Sequence, residues 1–159
     1  MKKPFIFYTD MDGVLNLFES DPNARINMWK PGYFRTIPVR PGISDLLVRI
    51  NSEAYVVILS KIINRVNVPE EKDWWCAKNL ATNAYSQIIY VPYNKSKADY
   101  INPNYQSIIV DDKEENIEEC EVKGAHGILL SDTKTSQKYP NAKSLEDLWN
   151  FYCKLTKNM

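Results

Sequence analysis

Short apolar runs recur along the chain at roughly regular intervals, separated by segments with a helical period. This alternation is the sequence form of a parallel sheet covered by helices. Five strands are predicted: Phe5 to Thr9, Tyr55 to Leu59, Ile88 to Val91, Ser107 to Val110 and Gly127 to Leu130. Their β-branched and aromatic content suits strands buried on both faces.

Between these runs, Ile43, Leu46, Leu47 and Ile50 fall on one helical face. Pro69 followed by Glu70 and Glu71 opens a second helix, predicted to reach about Ala81, because proline and acids favour a first turn. A shorter helix is predicted over Glu114 to Val122. In the last one, Leu145, Leu148, Trp149 and Tyr152 form a stripe behind Ser144 as N-cap. Trp74 and Trp75 read as core filling within the second helix. The stretch from Asn16 to Pro41 fits no period and holds Pro22, Pro31, Gly32, Pro38 and Pro41, so it reads as an irregular excursion over the end of the first strand. With no internal repeat or linker, residues 1–159 read as a single domain.

Composition narrows the function classes. The 44% apolar content, with ten tyrosines, five phenylalanines and four tryptophans, is enough for a sizeable core. Twenty basic residues balance twenty acidic ones without a long block of either sign. That pattern argues against a stable nucleic-acid complex and favours a small-molecule partner. Cys76, Cys120 and Cys153 are odd in number and in no metal-ligand spacing, so they read as reduced thiols in a cytoplasmic protein. The apolar start ends at Asp10, too early for a secretory signal, and no run is long enough to cross a bilayer. His126, the only histidine, reads as structural. The oligomeric state stays open.

The candidate chemistry lies where strands end. Asp10 and Asp12 follow the first strand, and alternate residues of an extended segment face the same side. Gly13 then permits a sharp departure of the backbone. A second pair, Asp111 and Asp112, follows the run Ser107-Ile108-Ile109-Val110. In parallel sheets these carboxyl ends are where ligands bind. Four carboxylates at one edge repel unless a cation sits among them, and hard oxygen ligands without histidine or thiolate select Mg2+.

The order Asp10-Met11-Asp12-Gly13-Val14, then Ile58-Leu59-Ser60, then Lys97, then Asp111-Asp112, resembles the four motifs of the haloacid dehalogenase-like phosphatases. The resemblance covers residues from about Pro4 to Leu130, and its first motif is the most specific. Arg40-Pro41-Gly42 and Glu71-Lys72-Asp73-Trp74 look like the 5'(3')-deoxyribonucleotidase branch. The resemblance implies a three-layer Rossmann-like α/β fold around a central parallel sheet. It also implies a magnesium-dependent phosphatase.

By that resemblance, Asp10 is the nucleophile that forms an aspartyl-phosphate, and Asp12 protonates the leaving alcohol and then takes a proton from water. Mg2+ would be held by the Asp10 carboxylate, the Asp12 backbone carbonyl and Asp112, with Asp111 acting through a water; the assignment between 111 and 112 stays open. The Ser60 hydroxyl and the Lys61 amide would donate to phosphoryl oxygens. Lys97 would offset charge on nucleophile and phosphate, with Lys95 as competitor; Lys97-Ala98-Asp99-Tyr100-Ile101 looks like a short helix that aims Lys97 at the site while Ile101 packs inward.

The deoxyribonucleotidases carry a larger helical cap between the first two motifs. Here only the excursion at about 16–41 stands in that place, well below the ~50 residues of a small domain, so the cap is reduced or absent. Phe18, Arg25, Trp29, Tyr33, Phe34 and Arg35 in it mix aromatic and cationic groups able to stack a base and hold an anion. The expected substrate is a (deoxy)nucleoside monophosphate. The alternatives are a phosphorylated polymer end or protein, and a non-catalytic binding module of the same fold.

Overall fold

The computed structural model describes residues 3–159. Six strands, β1 (Phe5–Thr9), β2 (Tyr55–Ile62), β3 (Gln87–Pro92), β4 (Gln106–Asp111), β5 (Ala125–Leu130) and β6 (Asn141–Ala142), form one sheet in the order β3-β2-β1-β4-β5-β6. Every pairing is parallel. The sixth strand was not expected from the sequence: it is two residues long, polar at Asn141, and exists by pairing Leu129 and Leu130 of β5.

Among the described residues five α-helices accompany the sheet: α1 (Ala24–Asn27), α2 (Ile43–Asn51), α3 (Val68–Asn79), α4 (Glu114–Val122) and α5 (Leu145–Lys157). Ser144 caps α5, its side chain accepting from the Asp147 amide at 3.1 Å. The period of two along the strands divides the core into two layers. Phe5, Phe7, Val56, Ile58, Ile108 and Val110 pack with Leu47 of α2, Trp75 of α3 and Tyr152 of α5. Ile6, Tyr8, Val57, Leu59 and Ile109 pack on the other face with Cys120 of α4 and with Ala98 and Ile101. The result is a three-layer α/β fold.

The two tryptophans separate. Trp75 is fully buried and donates to the Ile37 carbonyl at 2.6 Å, whereas Trp74 is 42% exposed. Neighbouring residues of a helix point about 100° apart, so only one of the pair reaches the core. His126 lies exposed on β5, and Cys76, Cys120 and Cys153 are all free. Among the described residues no helix is long and apolar enough to cross a membrane.

The chain runs from β1 outward through β2 and β3, then returns to the other side of β1 for β4, β5 and β6. The strand order therefore reverses between β1 and β4, and a crevice opens there at the carboxyl ends of the strands. Thr9 registers with Val110, and the Asp10 amide continues the ladder to the Val110 carbonyl at 2.9 Å. That register sets Asp10 beside Asp111.

Candidate active site

Beyond β1 the chain turns tightly, with the amides of Val14, Leu15 and Asn16 all aimed at the Met11 carbonyl at 2.9–3.3 Å. Met11, Val14 and Leu15 are wholly buried and anchor the turn, so Asp10 and Asp12 project on either side of Met11. Asn16, also wholly buried, accepts from the Gly13 amide at 3.0 Å and donates to Asp12 Oδ1 at 2.8 Å. Arg40 closes the turn from outside, donating to the carbonyls of Val14 and Gly13 at 2.7 and 3.0 Å.

Asp10, Asp111 and Asp112 are buried together, each offering an oxygen within 4.8 Å of the others. Lys97, at the start of a 3-10 turn (Lys97–Tyr100), is buried between them and donates to Asp10 Oδ1 at 2.8 Å and Asp111 Oδ2 at 2.7 Å. Lys95 is exposed. Asp111 is held further by Asn116 and by the Lys113 amide. Asp112 is different. Its Oδ1 is buried without a hydrogen-bond partner, and its Oδ2 lies where a Cβ on Gly13 would sit, 2.2 Å away.

Burial and the neighbouring Asp111 charge push the Asp10 carboxyl up to about 6, against the opposing pull of Lys97. Burial and Asp10 push Asp112 up to about 9. For Lys97, burial works against the charge, but Asp10 and Asp111 outweigh it and hold its pKa above the ordinary value. One ammonium does not balance three carboxylates. An orphaned buried oxygen beside a second carboxylate, in an all-oxygen donor set, fits a hard divalent cation such as Mg2+.

Beside Asp12 lies a residue that the sequence names only within Glu71-Lys72-Asp73-Trp74 and to which it assigns no role. Lys72 of α3 is wholly buried, and its ammonium donates to Asp12 Oδ2 at 2.7 Å, Ser60 Oγ at 2.8 Å and the Lys61 carbonyl at 3.1 Å. A signal was available: Val68, Glu71, Lys72, Trp75 and Cys76 have the spacing of one helical face and are all buried, so two charges sit on an inward stripe. Charges so placed require partners. Ser60 lies inside β2, which continues to Ile62 instead of ending at Leu59. Asn116, and Lys134 donating to the Asp112 carbonyl at 3.1 Å, were likewise not anticipated.

A cleft of about 300 Å³ opens above Asp10 and Asp12, walled by Phe18, Arg25, Phe34, Ile62 and Tyr93, with Lys61 and Lys97 also lining it. Of the six excursion residues proposed to meet a ligand, Phe18, Arg25 and Phe34 do line this cleft. The other three do not: Trp29 faces solvent, Tyr33 donates to Asp21 at 2.8 Å, and Arg35 lies over the Trp74 ring. The excursion has its own small core of Phe18, Ala24, Phe34 and Ile37 against Val68 of α3. Glu71 accepts from the Phe34 amide and pairs with Arg65, and Trp75 holds the Ile37 carbonyl.

No protein-family model matches the sequence, and no curated protein matches it. Solved structures do resemble the fold. A D,D-heptose 1,7-bisphosphate phosphatase from Burkholderia thailandensis superposes with a TM-score of 0.65 at 14% identity, over 96% of this chain and 99% of the other. The corresponding phosphatase from B. bronchiseptica, complexed with magnesium and phosphate, gives 0.67 at 13% identity over 94% and 98%. A haloacid dehalogenase-like hydrolase from Streptococcus pneumoniae gives 0.66 at 15% identity over 95% and 100%. At these identities the fold is what is shared: an α/β architecture of the haloacid dehalogenase-like type.

Proposed function

We propose that the chain is a Mg2+-dependent phosphatase that hydrolyses phosphomonoesters through an aspartyl-phosphate on Asp10, acting on (deoxy)nucleoside monophosphates. Residues 1–159 work as one phosphohydrolase domain with the 16–41 excursion in place of a cap. The three free thiols fit a reducing compartment such as the cytoplasm. The observation that carries the reading is the juxtaposition at the end of β1: Asp10 against Lys97 and against Asp112, whose Oδ1 has no hydrogen-bond partner, with Asp12 two residues along the same segment.

In the first step an Asp10 oxygen bonds to phosphorus while the ester P–O bond breaks and the leaving alcohol takes a proton from Asp12. In the second, water attacks the phosphoryl group and gives its proton to Asp12, and the bond to Asp10 breaks to release phosphate. The Asp10 and Asp112 carboxylates and the Asp12 carbonyl would hold Mg2+, with Asp111 acting through a water, and the ion would supply the positive charge that lets a dianionic ester approach a carboxylate. Lys97 keeps Asp10 ionised and turned toward the cleft. The Ser60 hydroxyl and Lys61 amide stabilise the phosphoryl oxygens.

A cleft lined by Tyr93, Arg25 and the nearly buried Phe18 and Phe34 supports a nucleotide substrate, since an apolar wall with a cation beside it suits a base and its phosphate. The heptose bisphosphate phosphatases of similar fold make sugar phosphates the pertinent competitors. A Mg2+-supplemented phosphate-release screen across deoxy- and ribonucleotides, sugar phosphates and phosphorylated oligomers tests the reading, with Asp10→Asn as the blank. Release from mononucleotides that vanishes in Asp10→Asn is expected. Activity unchanged in Asp10→Asn would sink the nucleophile, and equal turnover of sugar phosphates would sink the nucleotide preference.

A further inference from the structure

Lys72 is one of the largest fully buried side chains, and its ammonium has three N–H groups to place. All three are placed within the site: on Asp12 Oδ2, Ser60 Oγ and the Lys61 carbonyl. The Phe34 ring centroid lies 4.7 Å from the same nitrogen and closes the remaining side with an attractive π face. No donor is left for a substrate. A buried charge of this kind contributes little stability over an apolar side chain of similar size, so its partners supply the reason for its presence.

Resting on the phosphatase reading, we infer that Lys72 is a positioning residue of the reaction, locking the acid/base carboxylate of Asp12 and the phosphoryl-binding hydroxyl of Ser60 into one frame. Between Lys72 on Oδ2 and Asn16 on Oδ1, the Asp12 carboxylate has one orientation. Because Ser60 Oγ accepts from Lys72, its own hydrogen must point elsewhere. The intramolecular acceptor open to it is the Lys61 carbonyl at 3.5 Å, a long contact to an oxygen that already accepts from Lys72. A phosphoryl oxygen entering the cleft is the better acceptor. Lys72 thus directs one donor at the phosphate and one carboxyl at the leaving group without touching either.

The test exploits the leaving group. An alkyl phosphate needs its departing oxygen protonated, whereas p-nitrophenyl phosphate expels a stable anion and needs Asp12 far less in the first step. Wild type, Lys72→Met and Lys72→Gln are compared on both esters with Mg2+, together with circular dichroism melts. Gln keeps two N–H donors and serves as the second variant should Met fail to fold. The expected result for Met is a loss of kcat/KM, which reports the step up to the aspartyl-phosphate that both esters share, of about a hundredfold or more on the alkyl ester, with at least a tenfold smaller loss on the aryl ester. Gln is expected to show the same selectivity at smaller amplitude. Equal losses on the two esters in the folded variants, or a wild-type ratio in Lys72→Gln, overturn the inference alone. A wild-type chain inert toward both esters overturns the phosphatase reading and this inference with it.

Discussion

Gly13→Ala is the sharpest perturbation that the site offers, because two separable effects act at one atom. Gly13 has φ +89°, a region that costs a residue with a Cβ about 1 kcal/mol or more. The added Cβ would also lie 2.2 Å from Asp112 Oδ2 and 2.7 Å from its Cγ, so the carboxylate must move by about an ångström out of a packed site. Overpacking of that size costs a further ~1–3 kcal/mol. The sum, about 2–4 kcal/mol, lowers the melting temperature of a chain this long by roughly 5–15 °C.

Gly32→Ala separates the two effects. Gly32 has φ +83°, and a Cβ there meets nothing within 4 Å, so only the backbone strain is imposed. The assay is a thermal melt of wild type and both variants with and without Mg2+. At a hundredfold excess over Kd a cation adds about 2.7 kcal/mol to the wild type; a hundredfold loss of affinity leaves about 0.4 kcal/mol. Gly13→Ala is expected to melt lower than Gly32→Ala and to lose most of the Mg2+ response, while Gly32→Ala keeps it. A Gly13→Ala protein with an unreduced Mg2+ upshift would show that Asp112 is not a ligand.

Three further outcomes follow from the titrations. Asp10 and Asp112 are raised to about 6 and about 9, so around neutral pH a cation competes with protons; apparent Mg2+ affinity, measured calorimetrically, is expected to rise from pH 6 toward pH 9, and a fall with pH would contradict the assignment. A carboxyl raised above its unfolded value contributes most to stability at acid pH and loses that contribution as pH climbs through the folded pKa, so the metal-free protein is expected to melt lower at pH 8 than at pH 5. Burial pushes the Cys76 and Cys120 thiols up to about 12; brief treatment with a maleimide at pH 7 is expected to add one label, on half-buried Cys153, against three in denaturant, as read by mass spectrometry. Rapid labelling of Cys76 in the native protein would contradict its packing.

What the sequence carried and what it hid have physical reasons. Runs such as Phe5 to Thr9 end at acids because the sheet does, and β1 and α4 match their expected bounds. A two-residue strand like β6 has no period to read, since pairing with β5 alone creates it. At the site, Asp10, Asp12, Ser60, Lys61, Lys97, Asp111 and Asp112 come from distant positions and meet at one sheet edge. Lys72 stood in a quoted motif but drew no role, because a lysine on a helix normally faces water; only the face it shares with Val68 and Trp75 gives its burial away. In the excursion no period exists, and tertiary contacts alone sort Phe18 and Phe34 from Trp29 and Tyr33.

Three residues of one short stretch fix the wall of the cleft: Glu71, with Arg65 as its nearly buried partner, takes the Phe34 amide, and Trp75 takes the Ile37 carbonyl. Swinging that wall outward would break the Phe34 amide's bond to Glu71, the Trp75 bond to the Ile37 carbonyl and the Arg65 bond to the Met28 carbonyl, and would uncover an ion pair whose side chains are 10% and 3% exposed. On the phosphatase reading, esters would enter and phosphate leave through an aperture of set width, and selectivity would act as a sieve does, by mesh, before any chemistry begins.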